Sequence, residues 1–231
     1  MTSRRFCTTP ETGLVLLFRK SILEWGRKNF ASFPWRHTSN RWHALTAEVM
    51  LQRTRAEQVL PVYVAFVKKY PTPDSLLRKR HPNLFSDLGL VWRHRMFLRL
   101  ANALIDHGLP SDERGLKRLP CVGAYISGAM LSLHLGKRSP IIDSNIVRIY
   151  GRFFGFPVDG ETRRKKWLKD LADAVTPKRV FRDFNYALID FTRDICRPKP
   201  RCTDCPLSTQ CLYFTGKAAR GRKRAVRRIP R

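Results

Sequence analysis

The sequence predicts an all-α fold for this chain of 231 residues. Apolar side chains recur at helical spacing in one segment after another, and no segment shows the strict alternation that is typical of a half-buried strand. Apolar residues make up 43% of the chain and include five Trp and fourteen Phe. This is enough apolar surface for a buried core, so a generally disordered chain is excluded.

The predicted helices follow one another along the chain. The clearest apolar faces lie at 14–29, 41–54, 59–67, 92–107, 126–133, 146–153, 162–175 and 181–195. Pro34 separates the first two and Pro71 closes the third, because proline disfavours helix at the residue before it. Ser111 is expected to cap a short helix ahead of residues 119–123, where Pro and Gly turn the chain. Asp143 stands directly before the next helix.

The charge of the chain is far from balanced. Lys and Arg number 45 and Asp and Glu 18, which gives a formal net charge of +27. This excess indicates a polyanionic partner, of which nucleic acid is the first candidate and an acidic membrane surface the second. No apolar run is long enough to cross a bilayer, so we expect a cytoplasmic protein. Residues 216–231 are expected to form a basic tail that either adds nonspecific DNA affinity or is merely solvated.

Four of the six cysteines lie within sixteen residues near the C-terminus, at Cys196, Cys202, Cys205 and Cys211. Thiols stay reduced in the cytosol, so this spacing indicates a metal site rather than disulfides. Four thiolates this close can surround either a [4Fe-4S] cluster or a zinc ion, and spacing does not choose between them. Cys7 and Cys121 fall outside the group and are expected to be free thiols.

Glu48 is an acidic residue on a mostly apolar face of the second predicted helix. The residues three and four positions away are Ala44, Leu45, Leu51 and Gln52. Loss of solvation favours the neutral form of a carboxyl group, which is the form that a general acid needs. The alternative is a glutamate that is paired with a nearby arginine.

Three motifs together resemble the helix-hairpin-helix DNA glycosylases of the endonuclease III superfamily. They are LPCVGAY at 119–125, IDSN at 142–145, and the four cysteines. The resemblance extends from about residue 14 to Cys211. Within the superfamily, the thymine-guanine mismatch glycosylases of the archaeal type are the most similar, and the adenine-DNA glycosylases come next. The segments that carry this closer similarity are FPWRHT at 33–38, EVMLQRT at 48–54 and RDFNYALIDF at 182–191.

The resemblance implies two helical subdomains, a helix-hairpin-helix motif and a C-terminal four-Cys iron-sulfur loop. We therefore expect a six-helix barrel-type domain at 38–145, and an iron-sulfur cluster domain formed by 1–37 together with 146–215. The resemblance also favours a [4Fe-4S] cluster over zinc. Its implied partner is double-stranded DNA with the mismatched base flipped out of the duplex, bound by a monomer.

The resemblance assigns a chemical role to three residues. Asp143 would be the catalytic carboxylate that stabilises positive charge on the sugar as the base departs. Tyr125 occupies the position of the lysine that forms a Schiff base in bifunctional members. Tyrosine cannot form that adduct, so strand cleavage is not expected. Glu48 would donate a proton or a hydrogen bond to the leaving base.

Further residues correspond to DNA contacts of the family. Gln52 or Arg53 would enter the gap left by the flipped nucleotide, and Leu90 would wedge the opposite strand. The amides from Cys121 to Gly123 would hold a phosphate, and the family usually has glycine where this chain has Cys121. The first cysteine interval also differs, with five intervening residues here and six in the family. The other expected phosphate contacts are Arg193, Arg197, Lys199 and Arg201.

The leading functional hypothesis is a monofunctional glycosylase that removes thymine or uracil opposite guanine. Its rival removes adenine opposite guanine or 8-oxoguanine. The adenine enzymes generally carry a further C-terminal domain, whereas this sequence ends soon after Cys211, which favours thymine or uracil. Hypotheses of other kinds are a noncatalytic DNA-binding module with a structural metal, and an AP lyase that uses another amine.

Overall fold

Every regular element in the described part of the chain is a helix, which confirms the all-α prediction. The structure is a computed structural model that describes residues 12–78 and 93–216. Leu90 and the tail beyond Gly216 lie outside these residues. In chain order the α-helices are α1 (Thr12–Asn29), α2 (Arg41–Met50), α3 (Ala56–Lys69), α4 (Pro73–Arg78), α5 (Arg93–His107), α6 (Glu113–Arg118), α7 (Ala124–Ala129), α8 (Ser144–Phe154), α9 (Lys166–Val175) and α10 (Phe181–Asp194). None of the described helices is both long enough and apolar enough to cross a membrane.

The helices divide between two compact units. The first unit consists of residues 12–31 and 140–216 and contains α1, α8, α9 and α10. In it α1 packs along α10, and Gly26 permits the close approach because a Cβ atom there would collide with Ala187. Phe18 is fully buried, with its ring centroid 4.9 Å from that of Phe153 on α8. The core of this unit therefore lies between α1, α8 and α10.

The second unit consists of residues 32–78 and 93–139 and is organised around α2. Asn40 caps α2, since its side-chain oxygen accepts a hydrogen bond from the amide of Trp42 at 2.9 Å. The indole nitrogen of Trp42 donates to the carbonyl of Tyr70 at 3.0 Å, which ties α2 to the end of α3. All residues from Ala44 to Met50 are buried. A side chain on this stretch, such as Glu48, is consequently enclosed by protein.

A π-helix, Met130–His134, continues α7 directly. The amide of Leu135 bonds the carbonyl of Met130 at 2.9 Å, five residues back, where an α-helix would use the carbonyl four residues back. The π-helix packs against α2. The predicted amphipathic helix at 126–133 is thus α-helical only in its first part.

The predicted helix ends that differ from the structure include the end of α2 and the start of α6. α2 ends at Met50 rather than near Thr54, because Arg53 has a φ of 61° and a left-handed residue cannot continue the helix. The cap of α6 is Asp112 rather than Ser111, and its carboxylate accepts from the amide of Gly115 at 2.9 Å. Asp112 is the cap because α6 begins at Glu113 and the residue directly before it has the extended backbone that an N-cap requires.

Candidate functional site

Two ionisable side chains form a buried pair in the second unit. Oε1 of Glu48, on α2, lies 3.2 Å from Nε2 of His134, on the π-helix. The side chains are 4% and 3% exposed, respectively. Among the residues that the structure describes, the partner of Glu48 is therefore a histidine and not the arginine of the predicted alternative.

The second carboxyl oxygen of Glu48, Oε2, is buried and has no hydrogen-bond partner in the described part of the chain. A buried polar atom without a partner costs about 1–3 kcal/mol, so such atoms are rare in folded proteins. The oxygen is suited to receive its partner from a bound molecule.

His134 is a candidate residue that sequence reasoning missed. It lies within the apolar run MLSLHLG at 130–136, and the apolar pattern around a single histidine predicts a core residue. Its partner is 86 positions away in the sequence, and the π-helix that carries it departs from the helical period used to find buried faces. The available signal was an isolated ionisable group on an otherwise apolar helix face.

The hairpin between α6 and α7 contains a strained residue. Cys121 has a φ of 66°, in the left-handed region, which agrees with the glycine that the resembling family has there. Nε2 of Gln52 donates to the carbonyl of Cys121 at 3.3 Å, so the structure brings together two of the expected DNA contacts. Gly123 precedes α7, and its carbonyl accepts from the amide of Ser127 at 2.9 Å. The exposed Arg53 follows Gln52 directly.

The positive φ of Cys121 predicts that glycine gives a more stable protein than alanine at this position, which is the reverse of their usual order. Cys121→Gly is expected to be more stable than Cys121→Ala by about 1 kcal/mol, because only glycine adopts this conformation without strain. Urea unfolding of the two variants measures the difference. Greater stability of the alanine variant would contradict the strain at this position.

Tyr125 lies in the first turn of α7 in the second unit. It is half-buried and packs against the apolar core of that unit, which includes Ile126 and Met130. Leu90, the expected wedge, belongs to the residues that the structure does not describe.

Asp143 belongs to the first unit, where it caps the N-terminus of α8. Its Oδ1 accepts from the amide of Ile146 at 2.8 Å, and its Oδ2 accepts from Nδ2 of Asn145 at 2.8 Å. Nη1 of Arg148 donates to Oδ1 of Asn145 at 2.7 Å and so fixes the orientation of that amide. The carboxylate is half-buried and held from two sides, at a helix end where the dipole favours negative charge.

Arg148 also connects α8 to the start of the cysteine loop. Its Nε donates to the carbonyl of Cys196 at 3.0 Å, and its Nη2 donates to the carbonyl of Thr192 at 3.2 Å. Burial lowers the pKa of Arg148, while negative charge at Cys196 and Asp143 acts in the opposite direction. One side chain therefore links the neighbour of Asp143 to the first of the four cysteines.

The four cysteines of the loop are reduced thiols that influence one another. Burial raises the pKa of Cys205 to about 12, a backbone hydrogen bond from Leu207 opposes this, and charge on Cys196, Cys211 and Cys202 adds to it. No group of three or more His, Cys, Asp or Glu side chains within the described ranges is arranged as a closed metal site. The thiols are nevertheless close enough to repel one another when ionised, and a bound cation would remove this repulsion.

Two of the four basic residues that are expected to contact DNA phosphates form ion pairs within the first unit. Nη1 of Arg193 lies 2.9 Å from Oδ1 of the buried Asp190, and its Nε lies 2.8 Å from Oδ1 of Asp194. Arg201 pairs with Asp204 at 3.0 Å. Their charge is largely compensated by these neighbours.

The other two basic residues, Arg197 and Lys199, are exposed at the start of the loop. Nε of Arg197 donates to the carbonyl of Lys199 at 3.1 Å, which leaves the charge of both side chains uncompensated by a carboxylate in the described part of the chain. These two are the better candidates for contact with a polyanion.

Comparison with known proteins identifies close relatives along almost the whole chain, although no family model matches it. The thymine/uracil-DNA glycosylase of Methanothermobacter thermautotrophicus is 32% identical over 206 residues, which cover 86% of this chain and 93% of that protein. The thymine-DNA glycosylase of Aeropyrum pernix is 33% identical over 218 residues, covering 88% and 97%. The solved structure of a thermostable thymine-DNA glycosylase superposes with a TM-score of 0.82 at 32% identity, covering 88% of this chain and 98% of that one.

Two further comparisons define the wider relationship. An adenine DNA glycosylase of Buchnera aphidicola is 32% identical over 210 residues, which cover 86% of this chain and 59% of that protein. The structure of a non-covalent endonuclease III-DNA complex superposes with a TM-score of 0.74 at 21% identity, covering 89% of this chain and 98% of that one. The 21% identity to the endonuclease III structure shows a shared fold alone.

Proposed function

We propose that this chain, which belongs to the thymine-DNA glycosylase family of the endonuclease III superfamily, releases thymine or uracil mispaired with guanine. Its membership of that family makes it a DNA N-glycosylase. The observation that carries the proposal is Oε2 of Glu48, a buried carboxyl oxygen without a partner. A pyrimidine base taken out of the duplex supplies such a partner, because its carbonyl oxygens accept from a protonated Oε2 and its N3–H donates to an ionised one. A noncatalytic DNA-binding module has no need for this group.

In the proposed reaction the bond between N1 of the base and C1′ of the sugar breaks, and its electron pair moves to the base. Asp143 stabilises the positive charge on the sugar and accepts a proton from the water that attacks C1′. Glu48 donates a proton from Oε2 to an oxygen of the base, where negative charge develops. Two oriented hydrogen bonds hold Asp143, and its carboxylate keeps further lone pairs for these tasks.

We propose that the enzyme is monofunctional, because Tyr125 occupies the position of the amine in bifunctional relatives. A phenol cannot form the Schiff base that leads to strand cleavage. The product is then an intact strand with an abasic site.

The proposed substrate is double-stranded DNA with the target base flipped out, bound by a monomer. The exposed side chains of Arg197 and Lys199, together with Gln52 and Arg53 beside the hairpin, are the proposed contacts. Flipping costs a few kcal/mol and is cheapest at a mispair, so a mismatch is a favourable target. We further propose that the barrel-type domain spans 38–145, a range slightly offset from the second compact unit, which ends at residue 139.

We further propose that Cys196, Cys202, Cys205 and Cys211 hold a [4Fe-4S] cluster, with zinc as the alternative. The support is the donor set: four cysteines lie within sixteen residues, and soft thiolate ligands suit both occupants. The cluster would be structural, and it would present Arg197 and Lys199 to phosphate. No step of the proposed reaction depends on it.

A base-release panel tests the proposed activity. Duplexes with G:T, G:U, G:A and 8-oxoguanine:A pairs are incubated with excess enzyme, and abasic sites are revealed by alkali. We expect cleavage at G:T and G:U after alkali and intact strands without it. Cleavage of adenine-containing pairs alone would instead support the second candidate, an adenine glycosylase, which is favoured by the 32% identity to the Buchnera enzyme.

A further inference from the structure

His134 is a buried ionisable residue that the proposed reaction does not use. Its bond to Oε1 is the one hydrogen bond of the Glu48 carboxyl group in the described part of the chain. The ring is 3% exposed and sits at the end of the π-helix, whose backbone is fixed by the bond from Leu135 to Met130 at 2.9 Å. A flexible acidic side chain is thus held by a ring on a firmly bonded turn.

This contact makes the two oxygens of Glu48 unequal. Oε1 faces the imidazole at 3.2 Å, whereas Oε2 is buried without a partner. An imidazole with its hydrogen on Nε2 donates to Oε1, so a proton that the carboxyl group carries resides on Oε2. That proton is the one the carboxyl group can deliver to a bound molecule.

We infer that His134 is a positioning residue, which holds Oε1 of Glu48 so that Oε2 presents its proton to the departing base. The inference rests on the proposed glycosylase function and deepens it. The proton passes from Oε2 to the base, and the carboxylate that remains is stabilised by the Nε2–H donor of His134. Asp143 takes up the proton released by water, and both carboxyl groups return to their starting states by exchange with solvent. His134 neither gains nor loses a proton.

The test compares His134→Gln with His134→Asn. The side-chain amide nitrogen of glutamine reaches the place of Nε2, whereas that of asparagine stops one bond short. Both variants put the same polar group in the same buried place, so they differ mainly in reach. The rate of base release from G:T and G:U duplexes is measured with excess enzyme, together with the Kd for the duplex and the midpoint of thermal unfolding.

We expect His134→Gln to stay within about threefold of the parent rate and His134→Asn to lose about 10²-fold, since misplacing a reacting group by a bond length has effects of that order. The Kd is expected to stay unchanged in both variants. In a Glu48→Gln background, His134→Asn should cost less than about twofold, because the proton it positions is gone. A merely structural role would lower the rate in both backgrounds, together with the unfolding midpoint.

The outcomes separate this inference from the proposed function. If the parent releases thymine or uracil and His134→Asn is as fast as His134→Gln, the positioning role is overturned and the function stands. Equal losses in the two variants would likewise overturn it. If the parent releases no base from any duplex of the panel, the function is overturned and the inference with it. Should His134→Asn fail to fold, His134→Leu, which fills the space of the ring without a donor, takes its place in the same comparison.

Discussion

Asp143→Asn is expected to lower the rate of base release by at least about 10³-fold, because a neutral amide cannot stabilise the positive charge that develops on the sugar. The fold should survive, since asparagine is as good an N-cap as aspartate and its oxygen can still accept from the amide of Ile146. The new amide nitrogen would face Nδ2 of Asn145, whose own oxygen is held by Arg148. This mismatch of two donors costs about 1 kcal/mol of stability.

The measurement is the rate of base release with excess enzyme, with duplex affinity measured alongside. Asp112→Asn is the matched control, because Asp112 caps α6 in the same manner but is exposed and has no part in the proposed chemistry. We expect the control to keep the parent rate and Asp143→Asn to keep the parent affinity. Full activity in Asp143→Asn would contradict the assignment of this carboxylate.

Sequence was sufficient where the determinants of structure are local. The amphipathic faces of α8 and α10 were predicted because each helix buries one stripe of its own surface, and every described element is helical as expected. The cap at Asp143 follows from an aspartate placed directly before such a helix. The burial of Glu48 follows from the apolar residues one turn away on either side.

Sequence was insufficient where the determinant lies far along the chain. α2 stops at Met50 because the backbone turns left-handed at Arg53, next to a side chain that bonds a residue 69 positions away. The partner of Glu48 is fixed by a π-helix, which the apolar periodicity of residues 126–133 does not distinguish from an α-helix.

Cys205→Ser is expected to remove the iron and sulfide of the proposed cluster and to lower the free energy of unfolding by at least about 3 kcal/mol, because structural metal sites contribute directly to folding. For a chain of this size that corresponds to a fall of roughly 10 °C in the unfolding midpoint. The parent should contain iron and acid-labile sulfide in equal amounts. Cys7→Ser, a change at a cysteine outside the group, should keep both.

Base release should fall in Cys205→Ser as well, although the proposed reaction assigns no step to any of the four cysteines. The reason is Arg148, which donates to the carbonyls of Cys196 and Thr192 and also to Asn145, the residue that orients Asp143. Loosening the cysteine loop is therefore expected to let the carboxylate of Asp143 leave its fixed orientation, although the residues around Asp143 are unchanged. Arg148→Leu breaks the same link while leaving the four cysteines in place, and is expected to lower the rate with iron retained. A parent protein that contains zinc and no iron would overturn the cluster assignment, and an undiminished rate in Arg148→Leu would show that the loop and Asp143 act independently.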